Sequence, residues 1–190
     1  EKAFLAGDRD TVPVYIDAIT RAVHDLERAG AHFLAIPSNT VCLLLKSIQG
    51  ATSLKVLDPI SVTIQEIQAR RLESVEVLGT SSLVTSDVYG QRLRDAGIQV
   101  SYPSAQRQRE VDRIIRRVVE GSHVDGDLDS LDTVVGEGLH QEAHGVVVGC
   151  TDLHLVFAKR SPQRRIVDSL SSLADAVARN IAEPPPRRTT

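Results

Sequence analysis

Three short turns in the sequence place small polar side chains directly after an apolar run. They read Ala-Ile-Pro-Ser-Asn-Thr at 35–40, Val-Leu-Gly-Thr-Ser-Ser at 77–82 and Val-Val-Gly-Cys-Thr-Asp at 147–152. Hydroxyl and amide groups, together with the unpaired N–H groups of a helix start, can hold a carboxylate or a phosphate. A helix start is also expected to lower the pKa of the Cys150 thiol, which would make it a usable base or nucleophile at neutral pH. The turns therefore predict an anion site with a reactive cysteine.

Each turn taken alone also fits a simpler role, because Ser and Thr commonly cap helix N-termini. This alternative applies to Ser38, Thr40, Thr80, Ser82 and Thr151. The repetition of the same arrangement after three separate apolar runs favours a shared cleft over three unrelated caps.

Short apolar runs alternate with segments of helical periodicity along the chain. The predicted strands are residues 32–36, 55–57, 75–78, 98–102, 145–148 and 165–167. The predicted helices are residues 12–29, 40–48, 60–71, 82–96, 106–120, 128–143 and 170–181. This alternation predicts an α/β fold with parallel strands covered by helices on both faces. Ligands of such folds bind beyond the carboxyl ends of the strands, which is where the three turns lie.

Composition narrows the class of protein. The chain has 190 residues, 42% hydrophobic and 25% charged, with a formal net charge of −3, as expected for one domain or two small lobes of a globular protein. This charge predicts no nucleic-acid or membrane partner. Without a membrane-length apolar run or a signal peptide, the expected location is the cytoplasm. The chain contains no Met, even at position 1, so we expect further residues before Glu1.

Metal and disulfide chemistry are not predicted. Two cysteines, Cys42 and Cys150, are too few for a disulfide scaffold. His140 and His144 have a spacing that can bind a metal, but no third ligand accompanies them, and no metal is expected.

Two of the turns resemble motifs of the aspartate/glutamate racemase family. Residues 33–40 are similar to its Pro-Cys-Asn-Thr motif, and residues 146–153 are similar to its Gly-Cys-Thr-Glu motif. Between and after these segments, further residues follow the family's order: Leu78, Gly79, Thr80, Tyr89, Leu93, Gly97, Pro103, the helix at 111–121 and the strand at 166–168. The resemblance extends from about Leu5 to Ile181.

The resemblance implies an α/β fold of two pseudo-symmetric lobes, each a parallel sheet flanked by helices, with the active site in the cleft between them. It places residues 1–72 and 165–182 in lobe 1 and residues 73–164 in lobe 2. The tail at 183–190 is expected to be disordered. Family members are commonly dimers, so the resemblance allows a homodimer, but the oligomeric state cannot be derived from the sequence.

The resemblance also implies a cofactor-independent racemase that removes and returns the Cα proton of aspartate, glutamate or a similar small acid. Cys150 would be the acid/base on one face, with Ser38 facing it. The residues implied to bind the substrate are Asn39, Thr40, Thr80, Ser81 and Thr151.

Three departures from the family pattern qualify this mechanism. Ser38 replaces the first catalytic cysteine, and a serine hydroxyl is too weakly acidic to take a Cα proton unaided, which excludes a symmetrical two-cysteine mechanism. Asp152 replaces a longer Glu, and the family's first strand would have to precede Glu1. A one-cysteine decarboxylase-type enzyme, or an inactive homologue that binds an amino acid or a dicarboxylate, therefore remain alternatives.

Three nearby side chains have less distinctive interpretations. Cys42 is expected to be a thiol of a helix core, and Tyr89 a packing residue with its hydroxyl at the rim of the site. His154 either lies over the site, where it could tune Cys150, or is solvated.

Overall fold

Two parallel sheets form the centre of the computed structural model, which describes residues 12–140, 143–157 and 165–182. The smaller sheet pairs β1 (Phe33–Ala35) with β2 (Lys55–Leu57). The larger sheet has the order β4–β3–β5–β6, formed by β3 (Ser74–Leu78), β4 (Gln99–Ser101), β5 (Gly145–Val148) and β6 (Ile166–Asp168). The predicted disordered tail, 183–190, lies outside the described residues.

Helices connect these strands. They are α1 (Val12–Arg28), α2 (Leu45–Gly50), α3 (Pro59–Ala69), α4 (Ser81–Ser86), α5 (Val88–Asp95), α6 (Ala105–Val119), α7 (Asp125–His140), α8 (Thr151–Phe157) and α9 (Ser169–Ala182). A 3-10 helix (Thr40–Leu44) precedes α2, so the first part of the predicted helix at 40–48 is more tightly wound than an α-helix. Within the described stretches, none of these helices combines the length and apolar character of a membrane span.

The two central strands are buried on both faces because helices pack on each side of the larger sheet. In β5, Val146 and Val148 pack into a core cluster with residues of α6 and α7. Val147, which points to the opposite face, packs instead with residues of α3 and α5. A strand covered on both faces is apolar except where a buried polar side chain has a partner, which explains the continuous Val-Val-Val run of β5. The predicted α/β fold with parallel sheets flanked by helices is confirmed.

One part of the predicted lobe division is corrected. The last strand was assigned to lobe 1, but β6 pairs with β5 in the larger sheet, with Val167 opposite Val147. Val167 is fully buried in the same cluster as Val147, so the pairing is stabilised by apolar burial. Helix α9 packs mainly on α3 and also contacts β2, β6 and α8. The remaining lobe boundaries stay a prediction.

The predicted helix at 82–96 is divided into α4 and α5 at Asp87. Asp87 has a φ of +51°, in the left-handed region, and its Oδ1 accepts a hydrogen bond of 2.8 Å from the Tyr102 hydroxyl. The backbone N–H of Gly90 donates to the same hydroxyl at 3.0 Å. A Cβ atom at Gly90 would collide with the Asp87 carboxylate, so a side chain there would displace that carboxylate. The new helix begins one residue before Tyr89, which is fully buried.

A buried ion pair fixes α6 against the larger sheet. Glu76 of β3 is 2% exposed and accepts two hydrogen bonds of 2.6 Å from the guanidinium of Arg107, which lies in the first turn of α6. Arg107 also donates to the carbonyl of Val134 in α7. A paired carboxylate can therefore sit in an otherwise apolar strand.

Candidate active site

A pocket of about 110 Å³ lies where the ends of β1, β3 and β5 approach one another. Its lining residues are Tyr15, Ser38, Asn39, Thr40, Val41, Thr80, Gly149, Cys150, Thr151 and Asp152. The structure therefore brings together six of the seven residues to which the sequence assigned a role in the site. Ser81 lies apart from them: its backbone N–H and its hydroxyl both bond to the carboxylate of Asp112 on α6, and the residue is exposed.

The turns after β3 and β5 lie side by side because glycines allow a close backbone approach. The N–H of Gly149 donates to the carbonyl of Leu78 at 2.7 Å. A Cβ atom at Gly149 would lie 3.0 Å from that carbonyl oxygen, which is tighter than an ordinary contact. Thr80 and Cys150 directly follow the glycines of these two turns, so the close approach places both side chains at one edge of the pocket.

Cys150 is a protonated thiol at neutral pH, and the predicted lowering of its pKa is wrong. Burial raises the pKa of Cys150 to about 12, and the charge of Asp152 adds to this, whereas hydrogen bonds from the N–H groups of Asp152 and Leu153 oppose it. Desolvation of the thiolate outweighs the helix start. The thiol Sγ lies 3.7 Å from Asp152 Oδ2, to which it donates its hydrogen. The geometry supplies a proton donor with a carboxylate beside it.

The side-chain amide of Asn39 bonds to other protein groups. Its Oδ1 accepts a 2.7 Å hydrogen bond from the Tyr89 hydroxyl, and its Nδ2 donates to Ser169 Oγ at 3.0 Å. The prediction that the Tyr89 hydroxyl lies at the rim of the site is wrong, because Tyr89 is fully buried. Burial also raises the pKa of Tyr89, so its hydroxyl stays a donor.

The hydroxyl groups in the pocket keep hydrogen-bonding capacity. Thr80 caps α4, since its Oγ1 accepts from the N–H of Leu83 at 3.2 Å, and it also lines the pocket. Thr80 can therefore be both a helix cap and a pocket donor, because a hydroxyl that accepts at a cap can still donate its hydrogen. Ser38 is fixed through its backbone, whose carbonyl accepts from Cys42 Sγ at 3.6 Å. Cys42 lies in the apolar core as predicted, and burial raises its pKa to about 12.

His154, one helical turn beyond Cys150, is paired with an acid at the end of β6. Its Nδ1 lies 2.6 Å from Asp168 Oδ2. The other oxygen of Asp168 accepts hydrogen bonds from the N–H groups of Leu170 and Ser171 at the start of α9. His154 is not among the residues lining the pocket, so the structure gives it a role in joining α8 to α9.

Metal ligands do not cluster in the described part of the chain: no group of three or more His, Cys, Asp or Glu residues found there could hold an ion.

Besides Gly149, three lining residues carry no predicted role in the site. Tyr15 and Val41 lie on amphipathic helical segments whose apolar residues have no sequence signal that separates a pocket wall from a core. Asp152 was noted only as a shorter acid than the motif residue, and its contact with Cys150 is now the closest charged contact of the thiol. An acid two residues after a candidate acid/base is a sequence signal for a carboxylate beside the thiol.

Comparison with known proteins shows the family of the chain. The family model described as Asp/Glu/hydantoin racemase matches residues 3–177. The broad specificity amino-acid racemase RacX of Bacillus subtilis is 30% identical over 166 residues, which are 85% of this chain and 72% of that protein.

Solved structures share the fold. An aspartate racemase homologue from Pyrococcus horikoshii matches with a TM-score of 0.80 and 24% identity, over 95% of this chain and 80% of that one. A putative Asp/Glu racemase from Yersinia pestis matches with a TM-score of 0.82 and 23% identity, over 96% and 79% of the two chains. The resemblance stated from the turns is confirmed, and the chain belongs to the Asp/Glu/hydantoin racemase family of amino-acid racemases.

Proposed function

We propose that the protein racemises a small amino acid without a cofactor, with Cys150 as the acid/base on one face of Cα. The observation that carries this proposal is the Cys150 thiol, which lies in the shared pocket with a carboxylate oxygen 3.7 Å away. The thiol can give its proton to a carbanion, and Asp152 is placed to take a proton from the thiol before it acts as a base. The same pair can therefore serve both directions of the reaction.

The pocket residues suggest how the substrate is held. The hydroxyls of Thr40, Thr80 and Thr151 can donate hydrogen bonds to the α-carboxylate. Asp152 can pair with the ammonium group, and it is the one charged side chain among the described lining residues. A second carboxylate on the substrate would be repelled by the Asp152 carboxylate, and no cation among the described lining residues offsets this repulsion. Amino acids with a single carboxylate are therefore proposed as better substrates than aspartate or glutamate.

Ser38 is proposed to serve the opposite face. Its hydroxyl can donate a hydrogen bond to the substrate or hold a water molecule that carries the proton. Inversion then consists of two proton transfers: one group removes the Cα proton, and the other face supplies a proton to the same carbon. No electrons are gained or lost, so the reaction needs no redox partner.

The test is exchange of the Cα proton in D2O, followed by NMR with L and D forms of alanine, serine, lysine, aspartate and glutamate. Exchange needs a base on one face only and is a more sensitive signal than inversion. Cys150→Ala should abolish exchange, whereas the matched change Cys42→Ala should retain exchange at the Cys150 face, because the Cys42 thiol lies in the core and binds the Ser38 turn rather than the Cys150 turn. Exchange that persists in Cys150→Ala would remove this thiol from the mechanism. No exchange with any of the amino acids would refute the racemase proposal.

A one-face reaction is the second candidate, favoured by the single thiol among the described lining residues. An enzyme of this type would release CO2 from a malonate-type diacid and then protonate the carbanion from Cys150. It would exchange the Cα proton of one amino-acid enantiomer without converting that enantiomer into the other. Decarboxylation of an aminomalonate in the absence of amino-acid inversion would favour this reaction over racemisation.

A further inference from the structure

Three buried side chains form a hydrogen-bonded chain behind the pocket. The Tyr89 hydroxyl of α5 donates to Asn39 Oδ1 at 2.7 Å, and Asn39 Nδ2 donates to Ser169 Oγ at 3.0 Å, at the start of α9. Tyr89 and Ser169 are fully buried, and Asn39 is 4% exposed. Because water does not compete for buried polar groups, these bonds hold the Asn39 turn firmly. That turn also carries Ser38 and Thr40 into the pocket.

The ring of Tyr89 contacts the other side of the pocket. Its Cε2 would lie 3.4 Å from a Cβ atom built at Gly149, so the ring edge packs against the backbone that leads into Cys150. Tyr89 also belongs to the core cluster that contains Val147 of β5. One side chain therefore touches both turns: its hydroxyl holds the Ser38 turn, and its ring supports the Cys150 turn.

A second tyrosine offers a matched control. Tyr102 also donates a hydroxyl hydrogen bond, to Asp87 Oδ1 at 2.8 Å, and it accepts one from the N–H of Gly90. These bonds lie at Asp87 and Gly90, where Arg94 also binds the Asp87 carboxylate, whereas the bond from Tyr89 reaches the Asn39 turn. Changing either tyrosine to Phe removes one oxygen and leaves the ring in place.

We propose that Tyr89 is a positioning residue that sets the separation between the Ser38 turn and the Cys150 turn. The proposal rests on the proposed function, because inversion needs a proton-transfer group within reach on each face of Cα. A displacement of about 1 Å can lower a rate by roughly 100-fold. Tyr89 does not touch the reacting atoms. Its substitution should therefore lower inversion, which needs both faces of Cα, more than exchange, which needs one face.

The expected effect of Tyr89→Phe is a separation of exchange from inversion. The ring still supports the Cys150 turn, so exchange of the enantiomer whose Cα–H faces Cys150 should stay within about twofold of the wild-type rate. Inversion also needs the Ser38 face and should fall by roughly 10- to 100-fold. The control Tyr102→Phe should leave the ratio of inversion to exchange unchanged.

A crosslinking measurement tests the positioning without any substrate. In a Ser38→Cys background, dibromobimane can join the introduced thiol to Cys150, and peptide mass spectrometry measures the yield. Tyr89→Phe should lower this yield severalfold, and Tyr102→Phe should not. Urea unfolding of each variant establishes that the protein is folded under the conditions of both assays.

The results separate the two proposals. An unchanged crosslinking yield in folded Tyr89→Phe would overturn the positioning role, and so would an equal fall in exchange and inversion. A lowered yield in a protein that exchanges none of the amino acids would support the positioning role and refute the racemase proposal alone.

Discussion

The charge of Asp152 should control the reactivity of the Cys150 thiol, and Asp152→Asn removes that charge while keeping a similar shape. The carboxylate oxygen lies 3.7 Å from the sulfur. Two unit charges at about 4 Å interact by ~1 kcal/mol in water and by ~4 kcal/mol at an effective dielectric constant of 20. Since one pKa unit corresponds to about 1.4 kcal/mol, the pKa of Cys150 should fall by roughly one to three units.

The rate of alkylation by iodoacetamide reports this shift. The pKa of about 12 leaves very little thiolate at pH 8, and each unit by which it falls raises the thiolate fraction about tenfold. A less basic thiolate is also a weaker nucleophile, with a Brønsted slope of about 0.4–0.5, so the net gain is roughly threefold per unit. Alkylation of Cys150 in Asp152→Asn should therefore be about 3- to 40-fold faster than in the wild type.

Peptide mass spectrometry between pH 7 and 9.5 would follow Cys150 and Cys42 in the same sample. Cys42 is 5% exposed and should stay unreactive, which makes it an internal control for unfolding. Asp112→Asn removes a carboxylate that binds Ser81 outside the pocket and should leave the rate at Cys150 unchanged. An unchanged rate in Asp152→Asn, or an equal rise in Asp112→Asn, would refute the electrostatic argument.

The same variant separates two roles of Asp152. If the carboxylate only raises the pKa of the thiol, Asp152→Asn should speed both alkylation and Cα exchange. If the carboxylate also accepts the proton of Cys150, as proposed, alkylation should rise while exchange falls. Opposite signs in two assays on one variant are difficult to produce by a general loss of structure.

Three further outcomes are expected. Arg107→Met should lower the free energy of unfolding by about 3–5 kcal/mol in urea, because Glu76 is left buried without its partner; a loss below about 1 kcal/mol would contradict this. Ser81→Ala should change KM by less than about twofold, since its hydroxyl is bonded outside the pocket, and a larger change in steady-state kinetics would return Ser81 to the site. Gly149→Ala should cost about 1–3 kcal/mol, because its Cβ would crowd the carbonyl of Leu78, and a thermal unfolding midpoint equal to the wild type would exclude that crowding.

The strands and their turns could be predicted because the signals are local. The two central strands of the larger sheet, β3 and β5, are short and largely apolar runs between helical segments, and the turn after each is a glycine followed by small polar residues. Parallel strands bring such turns to one edge, so the position of the pocket followed from the sequence. The pairing of β6 with β5 could not be predicted from the sequence, because strand order depends on contacts between distant segments.

The break in the predicted helix at 82–96 had no strong local signal. Asp87 is followed by residues with helical periodicity, and no proline marks the change. At the break, the Asp87 carboxylate binds the Tyr102 hydroxyl, which approaches from β4 and its following turn, and also the guanidinium of Arg94 seven residues on. The pKa of Cys150 was misjudged for a related reason, since burial by the whole fold outweighs the local helix start.

Thr80 and Asn39 show that the sequence indicates a hydrogen-bond partner nearby in the chain but not one far away. The cap partner of Thr80 is three residues away, so its local bond was predictable, and its hydroxyl still faces the pocket. The partners of Asn39 lie 50 and 130 residues away, at Tyr89 and Ser169, and they occupy its amide. Asn39→Ala would remove one hydrogen bond from each of two buried hydroxyl groups, at about 1–3 kcal/mol each. A loss of activity in that variant would accompany a loss of stability, so it could not be taken as the loss of a substrate contact.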